Sequence, residues 1–326
     1  MNVTSKKRLG MGCWAIGGQF FDGEMQLGFT GHDDAESIAT VHAAYDAGVR
    51  LFDTAPVYGA GHSERLLGEA LKGRSDVAIS TKIGLRFDEK SRQVLGEDTD
   101  PADLTSALNS SRTRLQRDHL DIVFLHLNTL PVAKAVPLFD VLEEEIEKGR
   151  VGAYGWSCDF PDAVNAVAKR PGFLLVQHAM NVFFDAPSMM DVVNRHELTS
   201  FNRSPLAMGL LTGKFNEGEA VRPGDVRLNN LHWMDYFKDG KVTPDFIARV
   251  EAVRDLLTVG GRSLAQGALG WLWAKSPTTL PIPGARTPGQ AIHNAKALEF
   301  GALPEPVMDE IELVLQRPPE GPARER

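Results

Sequence analysis

The sequence predicts an α/β protein folded as one (β/α)₈ barrel, and three observations lead there. Eight short apolar runs alternate with longer stretches of helical period over about 300 residues, close to the size range of such barrels. The runs are continuous rather than alternating, which suits strands buried on both faces of a parallel sheet. A doubly wound open sheet is the competitor. Its dinucleotide fingerprint GxGxxG is not met, because "GMGCWAIGG" opens with two glycines but continues through tryptophan, alanine and isoleucine with no helix behind it.

The expected strands, in order, are Leu9–Trp14, Val49–Asp53, Val77–Lys82, Ile122–His126, Val151–Ser157, Leu174–Gln177, Thr199–Asn202 and Thr279–Ile282. Between them, Asp33 or Asp34 can cap a helix over Ala35–Ala47, which Gly48 ends. Ser63 is placed to cap a helix burying Leu66, Leu67, Ala70 and Leu71. Thr99 or Asp100 precedes a helix with Pro101 in its first turn, and Leu104, Leu108 and Leu115 share its face. A helix stopped by Gly149 follows, with Pro137 near its start. Further helices are expected at Pro161–Lys169, Pro187–Arg195, Pro244–Val259, Leu264–Ala274, Pro288–Ala297 and Pro304–Gln316. Residues 1–317 then form the barrel, and the Pro-rich tail 318–326 is expected to be poorly ordered.

Composition narrows the function. Of 326 residues, 43% are hydrophobic and 24% charged, enough for an ample core in a globular protein. A net charge of −8 speaks against a nucleic-acid partner. No apolar run has the length of a signal peptide core or a membrane span, so a cytoplasmic protein with no membrane partner is expected. Two distant cysteines, Cys13 and Cys158, do not make a disulfide framework. Metal catalysis has no HExxH or CxxC spacing to support it.

Active groups of a barrel sit at the carboxyl ends of its strands. Asp53 ends "VRLFD", Lys82 ends "DVAISTK" and His126 ends "LDIVFLH". Pro56 keeps the chain after Asp53 from starting a helix, and Gly59 and Gly61 let it bend, so Tyr58 lies on the rim. Any one of these has a bland explanation: a cap, a solvated lysine, a core histidine. Four at one face of one barrel mark a site.

With these residues in view, the chain resembles the aldo-keto reductase superfamily over nearly its whole length. "LFDTAPVYGAGHSERLLGEAL", "ISTKIG", "SSRTRLQRDHLDIVFLH" and "SPLAMGLLTGKF" carry the resemblance most specifically. It implies that Asp53, Tyr58, Lys82 and His126 form a catalytic tetrad. Reducing a carbonyl takes a hydride to carbon and a proton to oxygen. A phenol is a weak acid at neutral pH, a nearby ammonium lowers its pKa, and Asp53 would keep Lys82 charged. His126 would hydrogen-bond the substrate oxygen.

The resemblance also implies NADPH/NADP+ as the hydride carrier, lying across the carboxyl face of the barrel without a Rossmann domain. Ser157 matches a position that grips the nicotinamide carboxamide, where Cys158 replaces an asparagine, and Gln177 matches a glutamine followed by a nicotinamide-stacking aromatic, where Met180 replaces a tyrosine. Ser204, Leu206, Gly209 and Lys214 fall on the pyrophosphate strap. Gly284 and Arg286 would hold the 2′-phosphate, with Gln290 and Asn294 facing the adenine. Arg286 makes NADPH the expected cofactor over NADH. Trp14, Leu127, Met180 and Trp233 are expected to line the pocket of a small carbonyl substrate, and their apolar character disfavours a strongly anionic one. The polar segment Asn216–Lys241 reads as an active-site loop. Two other functions compete: a non-catalytic NADPH-binding or sensing protein on the same barrel, and a Schiff-base aldolase using Lys82. A complete tetrad speaks against the first, and a charged Lys82 against the second.

Overall fold

The computed structural model describes residues 9–31, 33–215 and 218–321. Eight strands form one parallel sheet: β1 (Met11–Gly12), β2 (Leu51–Asp53), β3 (Ala78–Ile83), β4 (Leu120–Leu125), β5 (Val151–Ser157), β6 (Phe173–Ala179), β7 (Thr199–Arg203) and β8 (Thr279–Pro281), hydrogen-bonded in that order. The sheet closes on itself. Gly10 N donates to Pro281 O and Gly12 N to Pro283 O, both at 3.0 Å, and Gly12 bridges Gly284 in parallel. Closure removes both edges, the hazard of any open sheet. Glycine at position 12 permits it, since a Cβ there would stand 2.8 Å from the Ile282 carbonyl oxygen.

The helices are α1 (Asp34–Asp46), α2 (His62–Ala70), α3 (Pro101–Leu115), α4 (Val132–Glu147), α5 (Pro161–Val167), α6 (Pro187–Arg195), α7 (Pro244–Leu257), α8 (Leu264–Lys275), α9 (Pro288–Ala295), α10 (Ala297–Phe300) and α11 (Glu305–Leu315). Their starts follow local chemistry. Asp33 caps α1 by accepting from Glu36 N, and Asp100 caps α3 by accepting from Ala102 N, with Pro101 behind it. Ser263 and Gln266 form a capping box on α8.

Side chains divide by strand parity. Leu51, Ala78, Ile122, Phe124, Ala153, Leu175, Phe201, Leu280 and Ile282 fill the barrel interior, with the Phe124 and Phe201 rings 5.2 Å apart edge to face. The alternate positions, among them Val123, Trp156, Val176 and Met180, pack outward in the larger core against the helices.

Two features differ from the sequence expectations, and the segment read as an active-site loop shows local structure. Ser63 does not cap α2: the helix starts at His62 after Gly61, and Ser63 is buried, donating to Cys13 O at 3.0 Å and accepting from Thr54 Oγ1 at 2.8 Å. A four-stranded sheet that the sequence did not suggest joins Phe20–Asp22 and Met25–Leu27 to Leu85–Asp88 and Gln93–Glu97 beside the barrel mouth. Within the described part of Asn216–Lys241 there is order, a 3₁₀ turn at Val226–Leu228 and paired strands Phe237–Lys238 and Lys241–Val242. Residues 318–321 have no regular structure, and the rest of the expected tail lies outside the described residues.

Candidate active site at the barrel mouth

The parity that fills the interior also builds the site. Two residues above an inward-facing Leu51 stands Asp53. Above Ala78 come Ser80 and Lys82, above Phe124 comes His126, and above Leu175 comes Gln177. Lys82 is fully buried, and its Nζ donates to Asp53 Oδ2 and to the Thr54 carbonyl oxygen, each at 2.7 Å. Asp53 Oδ1 accepts from Ser80 Oγ and Gln177 Nε2, both at 2.8 Å. A buried carboxylate with this many donors is held in one orientation.

Tyr58 arrives by a tight turn. Tyr58 N donates to Ala55 O at 3.1 Å, and Ser63 N to Tyr58 O at 3.2 Å. Gly59 follows at φ +62°, where a Cβ would sit 1.8 Å from the Gly17 carbonyl oxygen. The backbone of this turn therefore lies directly on the loop at Gly17. Lys82 Nζ is 4.9 Å from the Tyr58 ring centre, and the His126 ring stands edge-on to it at 6.2 Å between centroids. The structure brings the four residues together.

Their protonation follows from burial and charge. Burial pulls the Lys82 ammonium down, but Asp53 and Tyr58 beside it outweigh burial, so its pKa is raised and it stays charged. Burial pushes the Tyr58 phenol up, and the Lys82 ammonium offsets this only in part. The net shift is upward, whereas the sequence reading expected a lowered value. Lys82 acts in the expected direction, yet Tyr58 keeps its proton at neutral pH. Burial, then the charges of Lys82 and Arg203, hold His126 well below its ordinary range, so it is neutral.

These groups open into a cleft of about 1900 Å³. Trp14, Leu127, Trp233, Ser157, Gln177, Ser204, Leu206, Gly209, Lys214, Gly284, Arg286, Gln290 and Asn294 all line it. Met180 does not. It lies three residues from inward-facing Gln177, hence on the outer face, where it is fully buried and its Sδ accepts from Asn202 Nδ2 at 3.6 Å. Cys158 faces the same way, and burial pushes its thiol up to about 12. Gln177 commits its amide nitrogen to Asp53, and Gln290 accepts the Arg286 backbone N–H at 2.9 Å.

The sequence reading missed Arg203, which lines the cleft two positions above Phe201. The same count of two would have found it. Also missed was Arg227, which pairs with Asp225 and donates to Met208 O at 3.0 Å. Burial and the charges of Arg227 and Arg286 lower the Lys214 pKa, so three cations crowd one stretch of the cleft beside the kinked backbone at Met208–Gly209. The chemistry there fits a polyphosphate. Over it, Asn229 Nδ2 reaches Gln26 O at 2.5 Å, Gln26 reaches Gly224 O, and Arg286 holds the carbonyls of Thr30 and Gly31. Among the described residues no helix is long and apolar enough to cross a membrane.

The sequence model of the Aldo/keto reductase family matches residues 8–316. The aldo-keto reductase YhdN of Bacillus subtilis is 30% identical over 87% of this chain and 82% of its own length. A probable voltage-gated potassium channel subunit beta of Oryza sativa is 29% identical over 88% and 89% of the two chains. Among solved structures, the glycerol dehydrogenase AKR11B4 from Gluconobacter oxydans superposes with a TM-score of 0.78 at 26% identity, covering 98% of this chain and 95% of its own. The chain belongs to the aldo/keto reductase family, and is an NAD(P)H-dependent oxidoreductase.

Proposed function

We propose that the protein reduces an aldehyde or ketone to the alcohol, reversibly, with NADPH as its cofactor and Tyr58 as the general acid. The observation that carries this reading is geometric: at the mouth of the cleft the Tyr58 ring has the buried, Asp53-paired Lys82 Nζ 4.9 Å from its centre and the His126 ring edge-on at 6.2 Å. NADPH, when bound, supplies the hydride for the carbonyl carbon. Tyr58 gives its proton to the carbonyl oxygen, and the phenolate left behind is stabilised by Lys82, whose charge Asp53 maintains. His126, being neutral, can donate one ring N–H to the substrate oxygen without competing for the proton.

The cation cluster fits NADPH at its phosphates. Lys214 and Arg227 suit the pyrophosphate, with Ser204, Leu206 and Gly209 along the strap. Arg286, beside the first turn of α9, suits the 2′-phosphate through its planar fork. Gly284 gives room there, and Gln290 and Asn294 border it. Ser157 and the side-chain oxygen Oε1 of Gln177, whose Nε2 is held by Asp53, are the groups at hand for an amide near Tyr58. Trp14, whose ring is 6.2 Å from that of Tyr58, joins Leu127 and Trp233 on the substrate side.

The test is NADPH oxidation followed at 340 nm with 4-nitrobenzaldehyde and a panel of simple aldehydes. Turnover is expected. Saturable NADPH binding with no turnover on any carbonyl would favour the binding-protein reading that channel-subunit relatives invite.

A further inference from the structure

Thr54 and Ser63 carry hydroxyls that the mechanism above does not use, and both residues are fully buried. They stand at the two ends of the stretch that contains Tyr58. Thr54 follows Asp53 at the end of β2, and Ser63 is the second residue of α2. Thr54 Oγ1 donates to Ser63 Oγ at 2.8 Å, and Ser63 Oγ donates onward to the Cys13 carbonyl oxygen at 3.0 Å. The backbone of Ser63 is committed as well. Its N–H, one of the first-turn groups that a helix cannot satisfy internally, donates to Tyr58 O at 3.2 Å.

These bonds reach the acid and the ammonium directly. The Lys82 ammonium has three N–H groups. Asp53 Oδ2 accepts one and the Thr54 carbonyl oxygen another, each at 2.7 Å. With Asp53 alone the ammonium could swing about that one bond; the Thr54 carbonyl removes the freedom and leaves a tetrahedral group one direction for its third N–H. Tyr58 is the partner within reach, its ring centre 4.9 Å from Nζ, and a hydrogen bond between the two groups contributes to the protonation of both. The contacts close a ring. Lys82 holds the Thr54 carbonyl, the Thr54 hydroxyl holds Ser63, Ser63 N–H holds Tyr58 O, and the Tyr58 side chain returns to Lys82. The loop at Gly17 leaves this ring little slack, because a Cβ there would stand 3.1 Å from both Ser63 Cβ and Tyr58 O.

We infer that Thr54 and Ser63 are positioning residues whose hydroxyl pair sets the distance between the Lys82 ammonium and the Tyr58 phenol. The consequence for turnover rests on the carbonyl-reductase reading, whereas the spacing itself does not. A phenol further from its ammonium is a weaker acid. Breaking the pair on either side should therefore show at Tyr58, five residues from Ser63 and four from Thr54, and not only in the stability of the fold.

The readout is the titration of Tyr58 itself, by fluorine NMR of the full chain labelled with 3-fluorotyrosine. The chain has four tyrosines, so the signal missing in Tyr58→Phe assigns it. The fluorine withdraws electrons and brings the phenol's titration down toward pH values where the fold survives. In Ser63→Ala and in Thr54→Val the midpoint should rise by about one pH unit, a tenfold weaker acid. Thr54→Ser, which keeps the hydroxyl, should recover the wild-type midpoint. The double variant Thr54→Val/Ser63→Ala should shift no further than either single one, because one bond links the two residues. Coincident midpoints throughout, an equal shift in Thr54→Ser, or additive shifts would each overturn the inference. So would a wild-type Tyr58 that does not titrate below about pH 11, since the ammonium would then give the phenol no acidity for the pair to protect. Residues that only pack would lower the unfolding midpoint and leave the titration in place. At pH 7, kcat for 4-nitrobenzaldehyde should fall about tenfold in Ser63→Ala and Thr54→Val while KM for NADPH stays within about twofold. Shifted midpoints with no turnover of any carbonyl, even by wild type, would refute the reductase reading and sustain the positioning role; unshifted midpoints in an active enzyme would do the reverse.

Discussion

Asp53→Asn isolates the ion pair beneath the phenol. The replacement keeps the shape but removes the charge that faces Lys82 Nζ at 2.7 Å, in a place where the lysine has no exposure to water. An amide there also cannot satisfy every neighbour. If its oxygen keeps the Ser80 and Gln177 donors, its NH₂ confronts the ammonium. Breaking one side of a buried pair costs about 3–5 kcal/mol, and that is the loss expected in urea unfolding at pH 7. The pH dependence fixes its origin. In wild type Lys82 titrates above its unfolded value of 10.5, so its contribution is complete below that pH and disappears only as pH rises through the folded value. Without Asp53, burial drives the folded pKa below 10.5. The unfolded variant then binds more protons than the folded one, and its stability rises with pH. The gap to wild type should therefore narrow between pH 7 and pH 10. Turnover at pH 7 should fall about a hundredfold or more, as Tyr58 loses its neighbouring cation. A gap under about 1 kcal/mol that does not change with pH would refute the reasoning.

Other outcomes follow from the same structure. Burial lowers His178, bonded to Ser200 Oγ at 2.7 Å, to about 4; the unfolded chain takes up its proton below pH 6.5 while the folded one resists until about 4, so stability should drop between those values, by about 3 kcal/mol at most. His178→Gln should flatten that acid limb of the urea midpoint; an unchanged limb contradicts the burial argument. Arg286→Ala should weaken NADPH at least tenfold more than NADH in fluorescence titrations; equal losses would remove the 2′-phosphate assignment. Phe124→Ala, emptying a fully buried interior position, should cost about 3–5 kcal/mol by denaturant unfolding, and a cost below 1 would mean the barrel interior is not packed as described.

Most of the eight strands were legible as short apolar runs rich in β-branched and aromatic residues, whereas Thr199–Asn202, with Phe201 its one apolar residue, was legible mainly from its place in the alternation. The strand-end groups were legible for the same reason: once "VRLFD" or "IVFLH" is a strand, its last residue is placed. What stayed hidden depends on distant partners. The strands of the side sheet, "FFD", "MQL", "LRFD" and "QVLGE", are three to five residues long, and the Phe21–Gln93 pairing that joins their two segments spans most of the first hundred residues. Ser63 looked like a cap because local chemistry cannot show that Thr54 and the Cys13 carbonyl claim it first. Met180 and Arg203 are different. Parity counted from Gln177 and Phe201 turns the first outward and the second inward, and that information was in the sequence. The direction of the Tyr58 shift was not, since it depends on how far burial outweighs one ammonium.

The account stands on Tyr58 as the proton donor. Tyr58→Phe removes only the hydroxyl, and steady-state reduction of 4-nitrobenzaldehyde, measured beside NADPH binding by fluorescence, reads the consequence. The cofactor should still bind while kcat falls by about a hundredfold to ten-thousandfold. Turnover within tenfold of wild type would mean that some other group delivers the proton.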